Sequence, residues 1–432
     1  MPQKGLRKGD GAWGSGKELS SKVFFPLPQI PETFWKRSNV LTTGNTFMKQ
    51  ELIQLFTEHF GYAPAVFSRA PGRLEILGNH TDYNQGFVLS AAVGQATQMV
   101  MAKRDGRICR IINPPLEGEF TIDLDNLDNP KRGDWTNYLK GVLVELRRRK
   151  IEFPAFDLAF KSTVPLSAGM SSSAALEMAF CMALKELAGI ELPLPDWARV
   201  GQSVENVYLG LKTGLLDQFS SLYGKKDSLI LCDFRSVEVL KNVPMPSGWK
   251  ILVANTLVKH NLVESDYNLR RESCERATAG IKQKYPEITA LRDVNSEMLE
   301  SCKSDLDIID YRRAKHVVGE DERVWKADAL LAENNVEEFG KLLFESHESS
   351  RVNFENSCVE LDNLVELAHN IPGCAGARLS GGGFGGISIH LVRENDAETY
   401  AARLTEAYKA KTGKNIETIL CGIGDGAFSE TL

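Results

Sequence analysis

No apolar stretch in this sequence approaches the ~20 residues that a bilayer-spanning helix needs, and the N-terminal stretch carries neither a signal-type apolar core nor a lipidation motif. A cytoplasmic protein without membrane contact is therefore expected. A surplus of positive charge is missing as well. The chain has 51 Lys and Arg against 57 Asp and Glu, a net charge of −6. Its densest basic run, Arg147-Arg148-Arg149-Lys150, follows a predicted helix whose dipole favours it. That balance argues against nucleic acid as a partner. No two of the eight cysteines have CxxC spacing, so zinc-ribbon and thioredoxin-type chemistry are not expected and the thiols should be reduced. GxxxxGK[ST], the HRD…DFG set, GxSxG and HExxH are all absent, which removes Walker-type NTPases, protein kinases, elbow-type hydrolases and zincins.

What is present has the make-up of a soluble globular protein: 43% apolar and 25% charged residues over 432 positions, enough for two or three domains. Residues 1–41 are expected to be an N-terminal extension or arm, first rich in Gly, Lys and Ser, then mixing Pro with Phe and Trp. The cluster Pro244, Pro246, Gly248 is the clearest boundary signal and divides the rest into lobes 42–243 and 244–432. Periodicity predicts a helix near 45–60, a strand at 65–69, a turn at Pro71-Gly72 and a second apolar run at 74–77. It predicts a hairpin of 97–103 with 107–112, closed by Asp105-Gly106. Helices follow over about 134–149, from Pro195-Asp196 to near Gly210, and over 215–223. Strands are expected at 228–234 and 250–255, a charged helical region at 266–370, and then 377–380, 387–392, a helix at 396–411 and 417–421. The order is mixed, without a βαβ repeat, which predicts an α+β fold of two lobes.

Four stretches could carry chemistry. Val164-Pro165-Leu166-Ser167-Ala168-Gly169-Met170-Ser171-Ser172-Ser173-Ala174-Ala175 leads from an apolar run into a helix marked by Leu176, Phe180, Leu184 and Leu187 and stopped at Gly189. A helix N-terminus behind small residues can take a phosphate; a serine-capped core helix is the plainer reading. Ser380-Gly381-Gly382-Gly383-Phe384-Gly385-Gly386 formally contains GxGxxG, but a strand pattern, Ile387-Ser388-Ile389-His390, follows where a dinucleotide fingerprint needs a helix. A strand–loop–strand turn remains, tight for packing or for a ligand. Arg73 to Gly86 (RLEILGNHTDYNQG) gathers Arg73, Asn79, His80, Asp82, Tyr83 and Asn84. Such groups suit a sugar, or form a capped polar turn. His80 has no second His at ligand spacing. In Thr213-Gly214-Leu215-Leu216-Asp217-Gln218, Asp217 sits just inside a predicted helix. It is either an ordinary N-terminal acid or a carboxylate placed to take a proton from a hydroxyl. Tyr267 reads by default as a half-buried core tyrosine.

In this order the stretches together resemble the GHMP small-molecule kinases, and within them the galactokinases. APGRLEILGNHTDYNQGFVL (70–89) is similar to the galactokinase signature, VPLSAGMSSSAALE (164–177) to the family's ATP loop and LSGGGFGG (379–386) to its third motif. TGLLDQF, DYNLRRESCE, RAKHVVGE (313–320) and the segment 345–362 are similar too, so the likeness runs from about residue 42 to the C-terminus. It implies a two-lobed GHMP fold with mixed and antiparallel sheets and the active site between lobes. It implies ATP and Mg²⁺, and transfer of the γ-phosphoryl group to the anomeric hydroxyl of a hexose, D-galactose first. By position Asp217 matches the catalytic aspartate, and Arg73 the arginine that helps hold it ionised. Asn79, His80, Asp82, Gly214 and Tyr267 match the sugar-contacting set. Gly169, Ser171, Ser172, Ser173 and Ala174 match the nucleotide loop, and Ser172 and Glu205 the positions facing Mg²⁺ and phosphate. A monomer acting on sugar and ATP is expected. Two residues depart from the pattern. The usual signature reads Gly-Glu-His-Thr-Asp-Tyr-Asn, and Asn79 replaces its glutamate, which in the family helps hold the sugar. Ser167 stands where the family usually has Gly. The first departure keeps open a kinase for another sugar, such as an altered hexose, a uronic acid or arabinose. A catalytically silent sugar sensor is a third reading, against which Arg73, the serine loop and Asp217 all speak.

Overall fold

The computed structural model describes residues 43–114, 116, 118–131, 133–165, 169–259 and 263–432. The expected arm over 1–41 and Ser167 lie outside them. An opening helix, α1 (Thr43–Phe60), packs Leu52 and Phe56 onto the first sheet against Phe67, Val100 and Ala159. The chain then alternates strands and helices: β1 (Val66–Leu77), β2 (Phe87–Arg104), β3 (Ile108–Ile112), β4 (Phe120–Asp123), α2 (Asn137–Arg148), β5 (Ala155–Ser162), α3 (Ser172–Ala188), α4 (Leu194–Ser203), α5 (Leu216–Tyr223), β6 (Ser228–Asp233) and β7 (Glu238–Pro244). Next come β8 (Trp249–Lys259), α6 (Val263–Lys282), α7 (Ser296–Ser301), α8 (Ile308–Ala332), α9 (Val336–Ser349), α10 (Val359–Ala368), β9 (Cys374–Ser380), β10 (Gly385–Arg393), α11 (Ala397–Thr412), β11 (Glu417–Cys421) and β12 (Phe428–Thr431).

Two sheets organise these elements. The first runs β12-β1-β2-β5-β3-β4, with β6 on β2 and β7 on β6; the second is β11-β8-β10-β9. The fold is α+β with one mixed and one antiparallel sheet, as the sequence led us to expect. Helices α2 to α5 bury one apolar core against Met99, Met101, Phe156 and Leu158 of the first sheet. Alternation along β8 sorts the second sheet's faces. Ile251 and Val253 join Leu74, Ile76 and Phe339 in a core shared by both sheets, while Leu252 and Ala254 face Tyr400, Leu404 and Tyr408. That shared core sets the two sheets against each other, and the glycine turn between β9 and β10 comes to lie beside β1.

Three local expectations are corrected. Pro71-Gly72 is not a turn between two strands but a bulge inside the continuous β1, where the register with β2 jumps from Pro71–Ala96 to Arg73–Ala92. The carbonyl of Met170 fills the space a side chain at Gly72 would need, 2.5 Å from an ideal Cβ, and accepts the Arg73 N–H at 3.1 Å. The segments 97–103 and 107–112 are strands but not a hairpin. β5 lies between them, antiparallel to β2 and parallel to β3, because its buried Asp157 draws Arg104 (3.3 Å) and Arg110 (2.8 Å) to it from either side. The expected helix from 195 to about 210 is α helix only to Ser203; a π-helical turn, Val204–Tyr208, completes it. The division at 244 also leaves one element on the far side: β12, near the C-terminus, pairs with β1 in the first sheet.

Strand β9 touches α9 backbone to backbone, since a Cβ at Gly376 would overlap the Gly340 carbonyl. Gly376→Ala should lower the unfolding free energy by about 1–3 kcal/mol, the usual range for overpacking. The check is the denaturation midpoint in guanidinium at unchanged slope.

Candidate active site

The bulge at Gly72 aims Arg73 at the start of α3. Its Nε donates to Asp217 Oδ1 at 2.7 Å, Nη2 lies 2.5 Å from the same oxygen, and Nη1 donates to the Gly169 carbonyl at 2.6 Å. The second Asp217 oxygen accepts the Ser171 hydroxyl. Three stretches far apart in the chain therefore meet at one carboxylate. Ser171 holds a left-handed backbone (φ 55°) at the head of α3 and makes no side-chain cap. The serine-cap reading fails for that reason: the hydroxyl serves Asp217, and the first N–H groups of the helix lack an intrahelical partner. Ala174 is fully buried in that first turn.

An acidic cluster lies behind. Glu205, in the π-helical turn, accepts the hydroxyls of Ser173 (3.2 Å) and Thr213 (2.6 Å). The hydroxyl joined to Glu205 is thus that of Ser173, the neighbour of Ser172. Burial, and then the charge of Asp217, push the Glu205 carboxyl above its ordinary range. Burial also raises Glu177 well above it, although Gln218 donates to Glu177 at 3.0 Å.

The signature loop closes the other side. Asp82 accepts the Leu216 N–H at 3.3 Å, and a side chain at Gly214 would overlap the Asp82 carboxylate. Only glycine fits at 214 while Asp82 stays there. His80 adopts φ 62°, and its ring contacts Tyr83 Oη (2.9 Å) and the Gly382 carbonyl (3.3 Å). Burial pushes it down to about 3, so the ring is neutral near pH 7. Tyr267 is not a core tyrosine. It lies over His80, ring centroids 5.0 Å apart, and against the backbone of Gly382. Asn79 is fully buried, bonded to Glu75 (2.8 Å) and to the Gly381 carbonyl (2.9 Å).

Several supporting residues escaped the sequence reading. Glu320 of α8 accepts the N–H groups of Gly78 (3.0 Å) and Asn79 (2.8 Å), and Asp321 accepts that of Phe87 (2.7 Å). Arg378, fully buried, donates to Glu75 at 3.1 Å, and Ser380 bonds the Glu75 backbone at 3.0 Å. Asn356 accepts the Phe384 N–H at 2.6 Å and so anchors the glycine turn. Glu75, the one charge in the apolar run 74–77, was the available signal.

Comparison with known proteins agrees with this geometry. The galactokinase galactose-binding signature matches residues 54–103, and the GHMP kinase N-terminal and C-terminal domains match 137–225 and 327–410. A galactokinase of Roseiflexus sp. (strain RS-1) is 36% identical over 376 residues, 87% of this chain and 96% of that protein. The chain belongs to the galactokinase family. A galactokinase of Actinobacillus pleuropneumoniae serotype 5b (strain L20) is 37% identical, covering 88% of this chain and 98% of its own length. Among solved structures, Lactococcus lactis galactokinase complexed with galactose superposes with a TM-score of 0.84 at 31% identity, over 89% of this chain and all of that one. Methanococcus jannaschii mevalonate kinase, at 18% identity and a TM-score of 0.58 over 83% of this chain and 98% of its own, shares the fold alone.

Behind the signature loop, burial raises the Asp321 carboxyl to about 7. The folded state then holds a proton that the unfolded chain, with an ordinary carboxyl, has released. Stability from this group is full below the ordinary carboxylate range and is lost as pH rises through about 7. The Asp321 contribution to the unfolding free energy should fall between pH 5 and pH 7 by up to about 1.4 kcal/mol per pH unit, so in denaturant titrations Asp321→Asn should lose less stability, or gain more, over that interval than the wild-type chain.

Proposed function

We propose that this chain transfers the γ-phosphoryl group of ATP to the anomeric hydroxyl of D-galactose, giving galactose 1-phosphate. One observation carries the reading: Asp217 is held by Arg73 and Ser171 at the open head of α3, with Asp82 and Gly214 of the sugar side within one turn of helix. Phosphoryl transfer asks a protein chiefly to position reactants and to stabilise phosphate charge. The uncapped start of α3, residues 171–174, presents backbone N–H groups and the positive end of the dipole to the nucleotide phosphates. Asp217 has both oxygens oriented by neighbours and is 30% exposed, so it can still meet a substrate hydroxyl. It takes the anomeric proton as the sugar oxygen attacks phosphorus and ADP leaves.

Mg²⁺ fits these residues. Glu205 stands close enough to Asp217 to feel its charge, and its carboxyl meets the hydroxyls of Ser173 and Thr213, hard oxygen groups of the kind Mg²⁺ takes. Among the described residues no three acidic or His/Cys side chains form a metal cage, as suits an ion that takes one or two protein oxygens and completes its shell with phosphate and water. Ser172 and Glu205 would hold it, and when bound it neutralises phosphate charge. No described helix is long and apolar enough to cross a membrane; the eight free cysteines suit a reducing compartment such as the cytoplasm.

Asn79 favours a second reading, a kinase of another sugar. With MgATP and a sugar panel, purified protein should release ADP with D-galactose. Release with arabinose or a uronic acid alone would move the assignment, and binding without turnover would make the protein a sensor. Asp217→Asn should lower kcat by at least ~10²-fold; wild-type turnover in that variant would remove Asp217 from the mechanism.

A further inference from the structure

Asn79 spends its whole side chain inside the protein. Nδ2 donates to Glu75 Oε1 at 2.8 Å and to the Gly381 carbonyl at 2.9 Å, and Oδ1 accepts from Asn356 Nδ2 at 3.0 Å. The amide can point only one way. Both groups facing Nδ2 are acceptors, and Glu75 Oε1 also takes an N–H from Arg378 at 3.1 Å. Turned over, the amide would set oxygen against two oxygens. Asn79 Oδ1 thus faces Asn356, which must present its own Nδ2. Asn356 Oδ1 is buried without a hydrogen-bond partner, so the contacts of Nδ2 set that orientation.

The same Asn356 Nδ2 lies 3.2 Å from His80 Nε2. A proton on Nε2 would set donor against donor. A proton on Nδ1 lets Nε2 accept from Asn356 while Nδ1 donates to Tyr83 Oη at 2.9 Å. The Gly382 carbonyl, 3.3 Å from both His80 Nε2 and Asn356 Nδ2, is left with the longest contacts.

We propose that Asn79 is a positioning residue: the chain Glu75–Asn79–Asn356–His80 ties the signature loop to the glycine turn and selects the Nδ1-protonated form of His80. The kinetic consequence rests on the galactokinase reading; the tautomer does not. Asn79 orders the surface formed by His80, Tyr267 and Gly382, while Asp217 and the α3 head lie outside its bonds. Loss of the chain therefore acts on sugar affinity more than on phosphoryl transfer. A carboxylate in place of the Asn79 amide would face Glu75 and the Gly381 carbonyl with no proton to give, so the NH₂ group is what position 79 requires.

Two measurements test this. In the ¹⁵N-labelled full chain without ligands, the His80 signals, assigned by difference from His80→Gln, should show the proton on Nδ1; a proton on Nε2 overturns the proposal. In steady-state kinetics, Asn79→Asp should raise KM for the sugar about tenfold, the scale of losing a buried hydrogen bond to a charged group, with smaller changes in kcat and in KM for MgATP. An unchanged sugar KM in Asn79→Asp, or a loss in kcat as large as the loss in sugar affinity, overturns the proposal. Should wild-type protein phosphorylate no sugar, the galactokinase reading falls, while the tautomer measurement still decides the chain.

Discussion

Arg73 is the junction on which the site depends. Its guanidinium reaches Asp217 and the Gly169 carbonyl, and its backbone N–H bonds Met170. One residue of β1 thereby places both the acid near the start of α5 and the loop that opens α3. The guanidinium is only 6% exposed, so it needs a partner: a charge left alone in such a place destabilises a protein by about 3–5 kcal/mol. The bulge at Gly72 makes the reach possible. A regular strand would carry the side chain along the pleat, and any side chain at 72 would strike the Met170 carbonyl. The catalytic geometry is therefore written first into a backbone irregularity and only then into side chains.

The rest of the site follows the same logic of strained backbone held by buried partners. Gly78 (φ 96°) and His80 (φ 62°) bend the signature loop, and Ser171 (φ 55°) and Phe384 (φ 59°) bend the other two turns. Left-handed backbone at non-glycine residues persists only where the surroundings hold it. Here Glu320 and Asp321 grip the signature loop by its N–H groups from α8, and Asn356 grips Phe384. Two π-helical turns, Val204–Tyr208 and Ser350–Phe354, present Glu205 and lead directly to Asn356. The buried carboxylates Glu75, Glu177 and Glu205, all raised by burial, are a cost to folding that a purely structural protein would avoid. Glu177 and Glu205 among them feel the charge of Asp217, which marks that region as one where stability is given up for chemistry.

Much of the fold was legible because apolar period and glycine punctuation are local. The helix α3 ends at Gly189 in a left-handed cap, as its stop signal required; α11 and β8 to β11 follow their patterns closely. The misreadings share one cause. Pro71-Gly72 and Asp105-Gly106 carry turn chemistry, yet whether such a pair joins two neighbouring strands of a hairpin depends on what lies beside it. Met170 and β5 occupy those places, from roughly 50 to 100 residues away. A strand's neighbour is a long-range choice that short-range pattern does not encode. β12 went unseen for the same reason, being a short edge strand without alternation.

For the site, the sequence by itself determined the inventory: a glycine-bounded polar loop, a serine-led helix, an acid at a helix start and a glycine-rich strand turn, in an order that places the chain in its family. Tertiary structure alone decided the pairings. It sent Ser171 to Asp217 and Ser173 to Glu205, brought Tyr267 out of the core onto His80, and buried Asn79 under the loop whose surface it was expected to line. Hydrogen bonds are directional and short, so a partner is chosen by where a side chain points after the sheets have packed. That direction is fixed by bulges, left-handed residues and the shared core between the two sheets, none of which has a one-dimensional signature.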